Sequence, residues 1–356
     1  MKKEQHQNAE KIPLTGRCVG TLLFPLLILV FVLVLVLSLL IGRYPISPVE
    51  VVSIIAALPF ERVGEYGDNS WIIVNLLRLP RVLMVAISGM GLAMAGAAMQ
   101  GVFRNPLVGP EILGVSSGAS FGGVLAMSLG FSAVSMIIPF AFVFGCGALV
   151  AGFFLASLAR QNTIVGLVLA GIIISGFFSA LTGIATYTAD AETRLPGIVY
   201  WLMGSFASAS YDGVAFLAAV SIVGMVPLLG LSWRINLLSL EESDVKSLGI
   251  NTKLLRGTIV VLVSLIVAAQ VSVSGGVGWV GLVVPHIARM IVGPDHSRLL
   301  PASALLGGIY LLMMDNLARG LTDHEIPIGL LTSMVGTPVF AFFFVKLRGG
   351  KGWSND

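Results

Sequence analysis

Residues 78–119 read RLPRVLMVAISGMGLAMAGAAMQGVFRNPLVGPEILGVSSGA: an apolar run, a polar turn and the start of a second apolar run. Within the first run Gly89, Ala93, Ala97 and Gly101 recur every fourth residue. On an α-helix that spacing places them on one face, and a face of small side chains lets another helix approach closely. Composition decides the solvent around such a helix. Of 356 residues, 56% are hydrophobic and only 11% charged, against about 25% charged in a typical soluble domain. The stripe is therefore expected to be a packing face inside a membrane. The apolar runs are continuous rather than alternating, so the spanning elements are helices and not barrel strands. The expected fold class is all-α, a polytopic integral membrane protein.

Working outward, the run 19–41 is long enough to cross a hydrocarbon core of roughly 30 Å and too long for a signal-peptide core, so it reads as an uncleaved first span with Pro25 as a bend point. Residues 42–77 are mixed and expected outside, with a helical piece over 48–58. Further spans are predicted at 82–102, 112–129, 132–158, 164–187, 211–231, 254–273, 279–292, 299–317 and 326–347. The segment 279–292 is short for a full crossing. Ten spans put both termini on one side: a single transmembrane domain over 19–347, with cytoplasmic tails at 1–18 and 348–356. Charge supports that orientation. The inner segments then hold Lys2, Lys3, Lys11, Arg17, Arg104, Arg160, Arg234, Lys246, Lys253, Arg256, Arg289, Arg298, Lys346, Arg348 and Lys351, whereas the outer ones hold only Arg43, Arg62, Arg78, Arg81, Arg194 and Arg319.

Some function classes drop out. No Asp or Glu lies mid-span, and the nearest, Asp315, sits near the outer end of its helix, whereas proton-coupled carriers need ionisable groups near the midplane. The chain lacks G-x-x-x-x-G-K-[ST], so any ATP-driven motor must be another polypeptide. Cys18 and Cys146 have no CxxC or Cys/His spacing, and the adjacent side chains of Asp323-His324-Glu325 diverge, so no metal site is expected. His286 is expected to be structural. Gly114-Val115-Ser116-Ser117-Gly118 fits the G-x-S-x-G nucleophile elbow, which needs a strand before it and His and acid partners. Here it opens a membrane helix, so small residues for tight packing are expected, and intact function in Ser116→Ala would discriminate.

Several patterns admit two readings. Gly171, Ser175, Ser179 and Gly183 recur every fourth residue in the fifth span and suit either close helix packing or the wall of a weakly binding conduit. Arg78, Arg81 and Arg319 sit at outer span ends, where long cations can anchor at the interface or clamp partner carboxylates. The cytoplasmic stretch 237–250, LLSLEESDVKSLGI, puts Val245 and Leu248 three apart, as on one edge of a surface helix ended by Gly249.

RLPR, AGAAMQGVFRNPLVGPEILGVSSGA, GWVGLVVPHIAR with GPDHSRLLP, MDNLAR and EIPIGLLTSMVGTPVF occur in order over residues 78–344. Together they resemble the FecCD family, the membrane permeases of type II ABC importers for iron–siderophore, haem and vitamin B12. That resemblance implies a homodimer in a bacterial or archaeal inner membrane, two ABC ATPase subunits, an extracytoplasmic substrate-binding protein and lipid contacts, with no nucleic acid. It implies that Arg78, Arg81 and Arg319 meet glutamates on the binding protein, and that Gly171, Ser175, Ser179 and Gly183 line the cavity between two subunits. Leu240, Glu241, Val245, Leu248 and Gly249 would belong to the coupling region resting on the ATPase. This chain would carry no cofactor, since ATP and Mg belong to the partner. Ferric siderophore is the expected cargo, with haem, vitamin B12 or a small oxyanion as alternatives and a transport-inactive sensor or scaffold as a different class.

Overall fold

A computed structural model describes residues 15–42, 44–57, 68–158 and 164–349. The tail residues 1–14 and 350–356, and with them Lys2, Lys3, Lys11 and Lys351, lie outside that set, as do Arg43, Arg62 and Arg160. In chain order the helices are α1 (Thr15–Leu40), α2 (Pro48–Ala57), α3 (Asp68–Ile72), α4 (Leu79–Phe103), α5 (Val115–Ser128), α6 (Val134–Leu158), α7 (Ile164–Tyr187) and α8 (Leu195–Leu202). They continue with α9 (Tyr211–Gly230), α10 (Ser232–Leu237), α11 (Glu242–Ser247), α12 (Thr252–Ser274), α13 (Val280–Val292), α14 (His296–Gly320) and α15 (Ile328–Gly349). No strand occurs among the described residues.

Each predicted span falls on a helix. Seven, the stretches Leu22–Leu40, Asn69–Phe103, Val134–Leu158, Val165–Tyr187, Tyr211–Gly230, Thr252–Ser274 and His296–Gly320, are long and apolar enough to cross a membrane unaided. The other three predicted spans correspond to α5, α13 and α15, of which α5 has 14 residues and α13 has 13. At 1.5 Å per residue those two reach only about 20 Å, so they depend on neighbours at their ends.

Two features depart from the sequence-based expectation. The second span does not begin near residue 82; α3 and α4 join through a π-turn, Ile73–Arg78, into one helix from Asn69 to Phe103. Arg78 and Pro80 suggest a helix start, because a proline ring clashes with the carbonyl one turn back. The wider π-turn relieves that clash, and the freed Asn75 carbonyl accepts the Tyr211 hydroxyl at 2.8 Å. The second departure is α8 itself, within a stretch expected to be a plain outer connection. Beyond it the chain turns inward: Gly204, at φ 80°, lies so close to Gly276 that a Cβ there would meet the Gly276 oxygen at 2.3 Å. Ser205 N–H donates to Ser274 O at 2.8 Å, Ile328 N–H to Gly204 O at 2.9 Å and Gly329 N–H to Met203 O at 3.1 Å. Buried non-helical backbone persists because three segments satisfy one another's polar groups.

The bundle is organised around α4, whose apolar window is 83% buried, against 17% for α1 and 22% for α7. Its packing is set by glycines. A Cβ at Gly89 would stand 2.3 Å from the Gly307 oxygen of α14, and one at Gly96 would stand 1.8 Å from the Gly281 oxygen of α13. Ala93 continues the seam against Gly307, and Gly101 ends it against His296 and Ile235. The Gly89, Ala93, Ala97, Gly101 face thus holds α14 at backbone distance.

Candidate functional site

Arg78, Arg81 and Arg319 converge at one end of the α4–α14 seam, where α4 begins and α14 ends, each 9% exposed or less. Arg81 donates to Asp315 Oδ1 through Nε at 2.9 Å and Nη2 at 2.7 Å, and grips both oxygens of Glu325 at 2.9 and 2.7 Å. Arg319 pairs with Asp315 Oδ2 at 2.9 Å, one helical turn away, and donates to the Ile41 and Ser38 carbonyls. Among the described residues Arg78 meets no acid; it donates to the carbonyls of Leu39, Leu40 and Tyr44. Burial alone would push the Glu325 carboxyl up, but its bonds to Arg81 outweigh that and hold it below its ordinary value of 4.5.

The three arginines and Glu325 line a cavity of about 350 Å³. Among the described residues three guanidinium groups face two carboxylates there, one positive charge in excess. The sequence points to the arginines, and of their acids only one carries a local signal. Asp315, four residues before Arg319, was a readable helical pair; Glu325 comes from the following loop and gave no such signal.

On α7 the small residues divide. Gly171 is packed, since a Cβ there would lie 2.1 Å from the Ile112 oxygen, and Ser175 lies beside Gly114. Ser179 and Gly183 are exposed, and nothing stands within 4 Å of a Cβ at Gly176 or Gly183. Ile173, Phe177 and Ile184, each 57% exposed or more, flank that opening. The open face carries no charge.

At the opposite end, Val245 of α11 is fully buried, while Leu240 and Leu248 are 43% and 58% exposed. Glu241 precedes α11, and Gly249, at φ 75°, turns the chain toward α12. Lys246 pairs with Glu242 at 3.0 Å and holds that carboxyl below its usual range. Arg104, in the left-handed conformation at φ 49°, donates to the Leu238 and Leu240 carbonyls and so ties the Asn105-Pro106 turn to this loop. Asn236 continues the floor, donating to Asp295 at 2.6 Å and accepting from His296 N–H at 2.8 Å.

Other sequence candidates resolve locally. The G-x-S-x-G segment enters α5 from a short 3₁₀ turn, Pro110–Leu113, and Gly118 packs on Phe144 and Ala148. The strand-to-helix elbow is not built there. Among the described residues no three His, Cys, Asp or Glu side chains group as a metal site, and Glu325 is spent on Arg81. His286 packs 5.0 Å from the Phe343 ring.

The chain is a bundle of apolar helices with an arginine socket at one end, an uncharged open face on α7 and a tethered loop at the other end. The model of the FecCD transport family matches residues 28–346, and the chain belongs to that family. It is 42% identical over 328 residues to the molybdate import system permease protein MolB of Haemophilus influenzae, covering 91% of this chain and 95% of that one. It is 37% identical to the hemin transport system permease protein HmuU of Yersinia pestis, covering 79% of this chain and 86% of that one. Among solved structures it resembles a metal-chelate type ABC transporter in an inward-facing conformation, with 41% identity, a TM-score of 0.81, and 92% of this chain and 99% of that one covered. The chain is thus a multi-pass ABC importer permease, the transmembrane component of a machine whose ATPase is a separate subunit.

Proposed function

We propose that two copies of this chain form the path of an importer that receives a ferric siderophore from an extracytoplasmic binding protein and passes it to the cytoplasm. Both termini face inward, lipid covers the exposed leucines of α1, and two ATPases engage the loop carrying Leu240, Glu241, Val245, Leu248 and Gly249. The arginine-lined outer cavity carries this reading: its excess positive charge suits carboxylates projecting from a docked partner. The open face of α7, with Ser179 and Gly183, supplies a neutral wall from which cargo can leave. A second reading, a molybdate-like oxyanion as cargo, is favoured by the 42% identity to MolB.

The test is reconstitution in liposomes with the ATPase and binding protein. Uptake of iron-55 siderophore and of molybdenum-99 molybdate is compared with Arg78 intact and in Arg78→Gln, which keeps a donor for the Leu39 and Tyr44 carbonyls while removing the charge. Docking affinity and uptake are expected to fall together by about tenfold, the equivalent of about 1.4 kcal/mol. Unchanged affinity in a folded variant would overturn the docking role. Uptake of molybdate alone would replace the siderophore.

A further inference from the structure

A second cavity, of about 450 Å³, lies between the α5–α6 turn, α8 and the end of α12. That volume falls within the roughly 300–1,000 Å³ of small-molecule sites, which combine an apolar lining with a few converging polar groups. Trp201 and Val273 supply apolar wall, Ser132 and Tyr200 supply hydroxyls, and among the described lining residues Arg194 is the one cation and none is acidic. Arg194 donates Nη1 to the Ser128 carbonyl, which fixes the side chain and leaves other guanidinium donors. The neighbouring Asp190 carboxylate lies within electrostatic reach of Arg194, but its hydrogen bonds go to the Thr193 N–H at 2.7 Å and hydroxyl at 2.6 Å. Ser205 lies 3.2 Å from the Tyr200 hydroxyl and 3.3 Å from Glu325 Oε1. The cavity therefore abuts the arginine socket.

The geometry points to a receiving site for cargo on the outer face, selective for anions: Arg194 pairs the charge, the hydroxyls meet remaining acceptors, and Trp201 covers the uncharged part. This rests on the importer reading and narrows its cargo to an anionic chelate or an oxyanion. The test uses the whole transporter in proteoliposomes, with Ser132→Cys in a Cys18→Ser, Cys146→Ser background. Reaction of the introduced thiol with a membrane-impermeant maleimide is timed with molybdate, a ferric tricatecholate or neutral cyanocobalamin outside. At twice its dissociation constant an anion slows the reaction about threefold, whereas cyanocobalamin does not; Arg194→Gln removes the protection and Arg194→Lys retains it. Which anion protects identifies the source. Protection by neither anion, equal protection by cyanocobalamin, or protection that survives Arg194→Gln overturns the site. Uptake on the same vesicles separates the two readings: protection without uptake sinks the importer and leaves the site, while uptake without protection sinks the site alone.

Discussion

Helices α4 and α7 carry the same pattern, four small residues at every fourth position, and meet opposite fates. On α4 the stripe is closed from end to end against α14, and the seam is locked at one end by Arg81, Asp315 and Arg319. On α7 only the inner half, at Gly171 and Ser175, finds a partner within the chain, while Ser179 and Gly183 face outward. Spacing specifies a smooth surface; the length and charge of what lies opposite decide whether that surface becomes a seam or a wall.

The largest effect is expected where the closed seam is locked. Asp315→Ala leaves Arg81 and Arg319 short of the fully buried carboxylate they share, and removing one partner of a buried ion pair costs about 3–5 kcal/mol. Thermal unfolding in detergent should show a large drop in Tm, and an unchanged Tm would mean the lock is ornamental. Next comes the seam itself. In Gly89→Ala a Cβ 2.3 Å from the Gly307 oxygen forces the helices apart, at about 1–3 kcal/mol by the same assay. Gly183→Ala, with nothing within 4 Å, should stay within about 0.5 kcal/mol of the parent. Equal losses in the two variants would erase the distinction between seam and wall. Gly183→Leu sharpens it from the other side: Tm should hold while uptake slows, as expected of bulk added to a path.

The smallest effect concerns pH. Glu325 has a folded-state pKa held below its ordinary value, so its contribution is complete above about 4.5 and fades as the pH falls through the lower folded-state value. The difference in Tm between the parent chain and Glu325→Gln should therefore be constant from neutral pH down to that range and shrink below it. A difference that grows on acidification would show that Arg81 does not depend on the ionised carboxylate.

Much of this bundle is readable from the order of residues, because continuous apolar runs and the placement of lysines and arginines act locally. The central helix could be recognised from Gly89 to Gly101, and the arginines at 78, 81 and 319 stood out as cations on the wrong side. What escaped was set by distant parts of the chain. Proline at 80 reads as a helix start and so masks the extension of α4, which a π-turn accommodates here. The inward turn after α8 depends on carbonyls and N–H groups of residues 274 and 328, which no local window contains. Glu325 becomes the partner of Arg81 only once α14 has crossed the membrane, and the cavity beside Arg194 is assembled from three separate stretches.

The contact between Gly96 and Gly281 bears on how the protein is made. Helix α13 is about 20 Å long and carries His286 and Arg289, a poor candidate for recognition by the insertion machinery on its own. In the folded chain it rests on a surface that accepts it. That surface is α4, already threaded into the bilayer much earlier in synthesis and notched at Gly96 to the depth of a backbone. The early helix thus serves as a mould for a late one, and a side chain at residue 96 would leave α13 without its seat.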